Sequence, residues 1–69
     1  MNWITISNSS LTAVAYDETT STLYVRFRRG GTYSYADVPQ TVYQELLTSP
    51  SKGKYHAANI KPRYRYRRK

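Results

Sequence analysis

The first half of the chain contains four short β-prone segments, each followed by a polar or glycine-rich turn. They are, in chain order, Trp3 to Ile6, Leu11 to Tyr16, Thr22 to Arg28 and Thr32 to Ala36. Gly30-Gly31 separates the last two segments and can adopt the positive φ angles that a hairpin turn requires. Because the connections are short, the pattern predicts a four-stranded antiparallel meander.

The second half has the spacing of helices. Between Pro39 and Thr48 apolar residues repeat four positions apart, which is typical of an amphipathic helix. Asp37 is expected to cap this helix, and Pro39 suits its first turn because that position needs no N–H. After Ser49-Pro50-Ser51, a second short helix is expected from Lys52 to Ala58. The predicted fold class is therefore α+β, with one or two helices packed on one face of the sheet.

The third β-prone segment alternates, so its side chains divide between the two faces of the sheet. Its polar face carries one aromatic and two basic side chains: Tyr24, Arg26 and Arg28. Such a face is typical of sheets on which RNA-binding proteins stack unpaired bases. Tyr33 and Tyr35 join this face if the hairpin has a two-residue turn. They turn toward the core if it has a three-residue loop, and the sequence leaves both registers open.

Positive charge is concentrated at the C-terminus. Residues 1–59 carry five basic and four acidic side chains, and residues 60–69 carry six basic and no acidic ones, which gives the net charge of +7. Clustered charge of this kind favours a polyanionic partner. The segment is expected to be extended or disordered, and its predicted nucleic-acid-binding residues are Arg63, Arg65, Tyr66, Arg67, Arg68 and Lys69. A solvated tail, with the tyrosines packed back on the domain, is the alternative.

Two lysines mark a third candidate for anion binding. Lys52 and Lys54 lie at the expected start of the second helix, after small residues whose free N–H groups can hold a phosphate. An ordinary helix cap explains the same residues.

Catalytic chemistry is sparse in this sequence. His56 is the single histidine, there is no Cys, and no nucleophile, phosphate-loop or dinucleotide motif is present. We therefore expect no enzyme activity, no metal and no cofactor, and a surface or core role for His56. Neither a secretory signal nor a run of about 20 apolar residues occurs, so we expect a cytoplasmic protein without membrane insertion.

A series of landmarks follows one order along the chain: Val14 to Asp17, Leu23 to Phe27 with Gly30, Tyr33-Ser34-Tyr35, Val38-Pro39, Ser51 to Tyr55, Asn59 to Lys61 and Tyr64. This set resembles the KTSC domain, which occurs at the C-terminus of some lysyl-tRNA synthetases and as a stand-alone small protein. The resemblance implies one domain over residues 1–64, followed by a basic appendage over residues 65–69. His56-Ala57 departs from the family, which often has an aromatic residue followed by Asn there.

The resulting functional hypothesis is a small accessory module that binds nucleic acid through its basic and tyrosine-rich surface. RNA is the favoured partner because the resemblance leads to synthetases that act on tRNA. The alternative is a regulatory module that binds an acidic protein surface.

Overall fold

A computed structural model describes residues 2–7 and 10–68 of the chain. In these residues five strands form one antiparallel sheet, in the order in which they occur along the chain. The strands are β1 (Ile4–Thr5), β2 (Leu11–Asp17), β3 (Thr22–Phe27), β4 (Gly31–Tyr35) and β5 (Tyr66–Arg68). The α+β class is as predicted, but the predicted number of four strands is wrong.

The fifth strand is formed by residues from the predicted appendage. Tyr66 pairs with Tyr35 and Arg68 with Tyr33, and the N–H of Ala36 donates to the carbonyl oxygen of Arg65 at 2.9 Å. Without β5, the edge of β4 would present unpaired N–H and C=O groups to solvent. Residues 65–68 are thus held against the sheet, and Lys69 lies outside the described residues.

Two helical segments connect β4 to β5. Helix α1 covers Gln40–Thr48, and helix α2 (Lys52–Tyr55) continues without a break into a π-helical segment, His56–Ile60. The helices pack on one face of the sheet, as predicted. Side chains from both layers share one buried cluster: Ile6, Leu11, Val14, Leu23, Val25, Tyr35, Val38, Tyr43, Leu46 and Ile60.

The start of α1 differs from the prediction. Pro39, with φ −63° and ψ 148°, occupies the N-cap position, and its side chain makes no capping hydrogen bond. Asp37 instead adopts a positive φ of 56°, which turns the chain away from the sheet. Two hydrogen bonds of Val38 stabilise this turn instead. The hydroxyl of Tyr16 donates to the carbonyl oxygen of Val38 at 2.6 Å, and the N–H of Val38 donates to the carbonyl oxygen of Ser21.

The hairpin between β3 and β4 has a three-residue turn. Phe27 pairs with Gly31, so Val25 pairs with Tyr33 and Leu23 with Tyr35. Since paired residues share a face, both tyrosines lie on the helix-covered side with the apolar residues of β3. Gly31, the first residue of β4, has a positive φ of 78° directly after this turn.

Candidate nucleic-acid interface

The sheet face opposite the helices carries an aromatic and basic surface, which we call the open face. Tyr24 and Arg26 of β3 lie on it, paired with Ala15 and Ala13 of β2. Strand alternation and the pairing between β3, β4 and β5 add the remaining members. Within the strands the open face consists of Thr5, Ala13, Ala15, Tyr24, Arg26, Thr32, Ser34 and Arg67. Trp3, beside Tyr24, and Arg65, which is bonded to Ala36 just before β5, complete it.

Small residues on β2 let large side chains from its two neighbouring strands meet above it. The ring centroids of Trp3 and Tyr24 are 6.3 Å apart, with their planes tilted by 57°. The guanidinium carbon of Arg26 lies 4.4 Å from the centroid of the Trp3 ring, within the range of a cation–π interaction. Trp3 and Tyr24 thus form an aromatic pair, and the guanidinium of Arg26 packs over the Trp3 ring.

The line of paired residues that contains Tyr24 continues across the sheet to β5. Ser34 of β4 pairs with Tyr24 on one side and with Arg67 on the other. With neighbouring strands ~4.8 Å apart, a row across five strands extends for about 19 Å. Arg67 and Arg65 are both exposed. The open face therefore combines aromatic rings at one end with arginines at the other.

Asp17 is the carboxylate that strand alternation places at the margin of this face, opposite Thr22. The backbone N–H of Thr19 donates to its side chain at 3.0 Å. This hydrogen bond lowers the pKa of Asp17, so the carboxylate stays ionised at neutral pH. It lies at the end of β2, beyond the row that joins Trp3, Tyr24 and Arg67.

The structure divides the predicted tyrosine platform between two sides of the sheet. Tyr24 and Arg26 remain together on the open face, but Tyr33 and Tyr35 lie on the helix side, and Tyr35 is only 2% exposed. Arg28 lies in the three-residue turn after β3, where strand alternation no longer applies, and it lines a cleft that Phe27 and Tyr33 also line. The three-residue turn is the physical reason that Tyr33 and Tyr35 lie on the helix side, because it fixes which residues of β4 pair with the core-facing residues of β3.

The predicted basic residues of the tail are also separated. Arg65 and Arg67 lie on the open face, whereas Tyr66 and Arg68 lie on the helix side, paired with Tyr35 and Tyr33. Arg63 is exposed in the turn that follows the π-helical segment. The tail is thus an edge strand that contributes one set of side chains to each face.

The two lysines of the third candidate lie near α2, away from the open face. The ammonium group of Lys52 donates to the carbonyl oxygen of Ser49 at 3.0 Å, while Lys54 is exposed. Both residues line a shallow cavity of about 370 Å³ that Ile6 and Pro50 also border. No side-chain hydrogen bond caps α2 at Ser51.

A second concave surface lies on the helix side, between the β3–β4 turn, β5 and the π-helical segment. This aromatic cleft has a volume of about 690 Å³. Aromatic and basic side chains dominate its lining, which includes Phe27, Arg28, Arg29, Tyr33, Tyr35, His56, Lys61 and Tyr66.

The inner end of the aromatic cleft holds a buried polar pair. The hydroxyl of Tyr35 and Nε2 of His56 are hydrogen-bonded at 2.7 Å, and the imidazole tautomer decides which of the two donates. Burial lowers the pKa of His56 to about 4, and the positive charge of Lys61 acts in the same direction. Burial also raises the pKa of Tyr35 to about 12. Both groups are therefore neutral at pH 7.

Comparison with known sequences identifies the family. The sequence model of the KTSC domain matches residues 7–64, which is most of the chain. The chain belongs to the KTSC domain family. The resemblance inferred from the ordered landmarks is thereby confirmed, and β5 lies just beyond the matched range.

Other KTSC domain proteins show the same unit alone and as part of a larger chain. A protein from Tsukamurella paurometabola is 37% identical over 60 residues, covering 87% of this chain and 90% of that protein. A lysine–tRNA ligase from a Nostoc species is 43% identical over 58 residues, covering 84% of this chain but 10% of the ligase. The ligase match therefore shows a shared domain and not a shared activity.

A crystal structure of a KTSC domain protein from Yersinia pestis has the same fold. It matches with a TM-score of 0.95 and 29% sequence identity, covering 99% of this chain and 96% of that one. Of the helices described in the present KTSC domain, none is long and apolar enough to span a bilayer. Residues 2–7 and 10–68 likewise contain no cluster of three or more His, Cys, Asp or Glu that could hold a metal ion.

Trp3 is the aromatic member of the open face that sequence reasoning missed. It lies at the start of the chain, two strands away from Arg26, and a short β-prone run gives no indication of such a contact. The alternation of small residues in Ala13-Val14-Ala15 was the available signal. Two alanines on one face of a strand leave room for large residues from both neighbouring strands to meet.

Proposed function

We propose that this KTSC domain is a non-enzymatic module that binds single-stranded nucleic acid, with RNA favoured, on its open face. The observation that carries the proposal is the contact of Trp3 with Tyr24 and Arg26 on the side of the sheet that the helices leave uncovered. Aromatic side chains on an open sheet stack on unpaired bases, whereas the bases of a duplex are already stacked on one another.

The neighbouring arginines complement this stacking. Arg26, Arg65 and Arg67 can neutralise phosphates along a strand that crosses the sheet from β1 to β5. Three neutralised phosphates correspond to a slope of about −2 for log affinity against log salt on a single strand. Stacking contributes ~1–3 kcal/mol for each base and depends little on base identity.

RNA is favoured over DNA because related segments occur in lysine–tRNA ligases, whose named substrate is an RNA. The lack of Cys suits a reducing compartment, so we place the protein in the cytoplasm.

Trp3 is the single tryptophan of the chain, so its fluorescence is a direct probe of the proposed site. Titration with a single-stranded RNA decamer should change Trp3 emission, and the affinity should fall with salt at the slope given above. A duplex DNA and a polyphosphate that lacks bases should bind more weakly. If all three bind with equal affinity, the stacking mechanism is wrong.

Matched variants test the location of the site. Y24A should raise the Kd for labelled RNA about tenfold, because one stacking platform is lost. R26A should weaken binding and flatten the salt slope. K54A removes an exposed charge outside the open face and serves as the control. Equal effects of R26A and K54A would contradict a defined site, and no binding at low salt would favour the acidic-protein alternative.

A further inference from the structure

The aromatic cleft lies on the opposite side of the sheet from the open face and has a different composition. It is bounded by the β3–β4 turn, by Tyr66 of β5 and by His56 and Ala57 of the π-helical segment. Its volume of about 690 Å³ lies within the range of small-molecule sites, which is roughly 300–1,000 Å³. π-Helical turns within helices occur frequently at functional sites.

The walls of the cleft are aromatic. The ring centroids of Phe27 and Tyr33 are 5.3 Å apart at an interplanar angle of 89°, and those of Tyr33 and Tyr66 are 5.5 Å apart at 51°. Tyr66 is 52% exposed, although it contacts both Tyr33 and Tyr35. Such walls suit a flat ring that stacks or packs edge-on against them.

The rim of the cleft is positively charged. Arg28, Arg29 and Lys61 line it, and among the described residues no carboxylate does so. The positive charge of Lys61 acts on the inner end of the cleft, because it contributes to the lowered pKa of His56. An anionic group is therefore favoured at the rim.

The inner end of the cleft is polar but uncharged. The Tyr35–His56 pair is neutral at pH 7, and two neutral groups can exchange donor and acceptor roles through the imidazole tautomer. Neutral donors and acceptors match the edge of a nucleobase, which carries the same kinds of group.

From these three features we infer that the aromatic cleft binds a nucleotide, with the base against Tyr33 and Tyr66 and the phosphate near Arg29 and Lys61. A phosphate alone would leave the aromatic walls unused, and an uncharged aromatic compound would make no use of the charges of Arg29 and Lys61. The ligand is either a free mononucleotide or the terminal nucleotide of a strand, since both present the same chemistry. This site is independent of the open face.

Calorimetry with the full chain tests the inference. Nucleoside 5′-monophosphates should bind with a Kd below 1 mM (about −4 kcal/mol), at least tenfold more tightly than the matching nucleosides and than inorganic phosphate. In amide NMR spectra the signals of Gly30, Gly53 and Ala57, which line the cleft, should shift on titration. Nucleotides that bind no better than inorganic phosphate would overturn the inference.

Variants distinguish this site from the open face. R29A and K61A each remove an exposed cation and should raise the Kd for the nucleotide about tenfold, as expected for a lost charge-assisted hydrogen bond. K54A is the matched control and should have no effect. Y24A should weaken RNA binding but leave nucleotide binding unchanged. If K61A and K54A raise the Kd for the nucleotide equally, the nucleotide is attracted by the overall charge of the domain and not by a site in the cleft.

A further experiment shows whether the ligand is a free mononucleotide or the end of a strand. RNA decamers with a 5′-phosphate, a 3′-phosphate or no terminal phosphate are compared on the wild-type chain and on K61A. If the terminal phosphate improves binding only in the wild type, the cleft takes a strand end. If mononucleotides alone depend on Lys61, the cleft takes a free nucleotide. If neither depends on Lys61, the inference is wrong, whatever happens at the open face.

Discussion

Acid should destabilise this KTSC domain through His56. The side chain is 5% exposed, packs edge-on against Phe27 and Tyr35, and is held neutral by burial. Its pKa is lowered from 6.5 to about 4 in the folded chain. Between these values the unfolded chain binds a proton that the folded chain does not bind, so stability falls as the pH falls below 6.5.

The size of the effect follows from the two pKa values. Between pH 7.5 and pH 5 the free energy of unfolding should decrease by about 2 kcal/mol through this one group. That is a large part of the ~3–5 kcal/mol that a single core supplies in so short a chain. Urea unfolding followed by circular dichroism at several pH values measures the decrease.

Two variants isolate the contribution of His56. H56Q keeps a polar side chain beside Tyr35 but does not titrate, so its stability should change about 2 kcal/mol less than that of the wild type over this range. Y35F removes the hydrogen bond but leaves His56 buried, so its pH dependence should remain. Carboxylate titrations are common to all three proteins and cancel in the comparison. Parallel stability curves for the wild type and H56Q would refute the reasoning.

Three further outcomes follow from the structure. Y16F removes the hydroxyl that donates to the buried Val38 and should cost about 1 kcal/mol in urea unfolding. G31A places a side chain at φ 78° and should cost about 1–2 kcal/mol, whereas G30A, whose new Cβ would meet Phe27 at an ordinary 3.5 Å, should be tolerated. A15L should separate Trp3 from Tyr24 and weaken RNA binding, while nucleotide binding in the aromatic cleft persists; unchanged RNA affinity would count against the open face.

The elements that the sequence predicts well are those with local signals. Leu23, Val25 and Phe27 alternate with polar residues, and this pattern alone indicates which face of β3 is buried. The four-residue spacing of apolar side chains that predicts α1 is equally local. By contrast, Asp37 is a good helix cap by residue type, but here the chain needs a positive φ angle at this position, which Asp tolerates.

The elements that the sequence does not predict depend on distant partners. Arg and Tyr alternate over residues 63–67. This pattern is compatible with a solvated tail, with a strand packed on the core and with a strand that binds a ligand. Only the unpaired edge of β4 decides that Tyr66–Arg68 become β5. In the same way, the contact between Trp3 and Arg26 requires the registers of two successive strand pairs. A shift of one residue in either pair would move one of them to the other face.

Strand β5 has a consequence for the rate at which ligands exchange. It is three residues long, its side chains are exposed, and it is bonded to β4 on one side only. It also returns to the sheet only after both helical segments, so its pairing closes the largest loop in the fold. Short, exposed elements of this kind open locally without global unfolding. Because Tyr66 forms a wall of the aromatic cleft, each local opening of β5 widens the path into it. Hydrogen exchange of the β5 amides should therefore be fast in the free domain and slow when a nucleotide is bound.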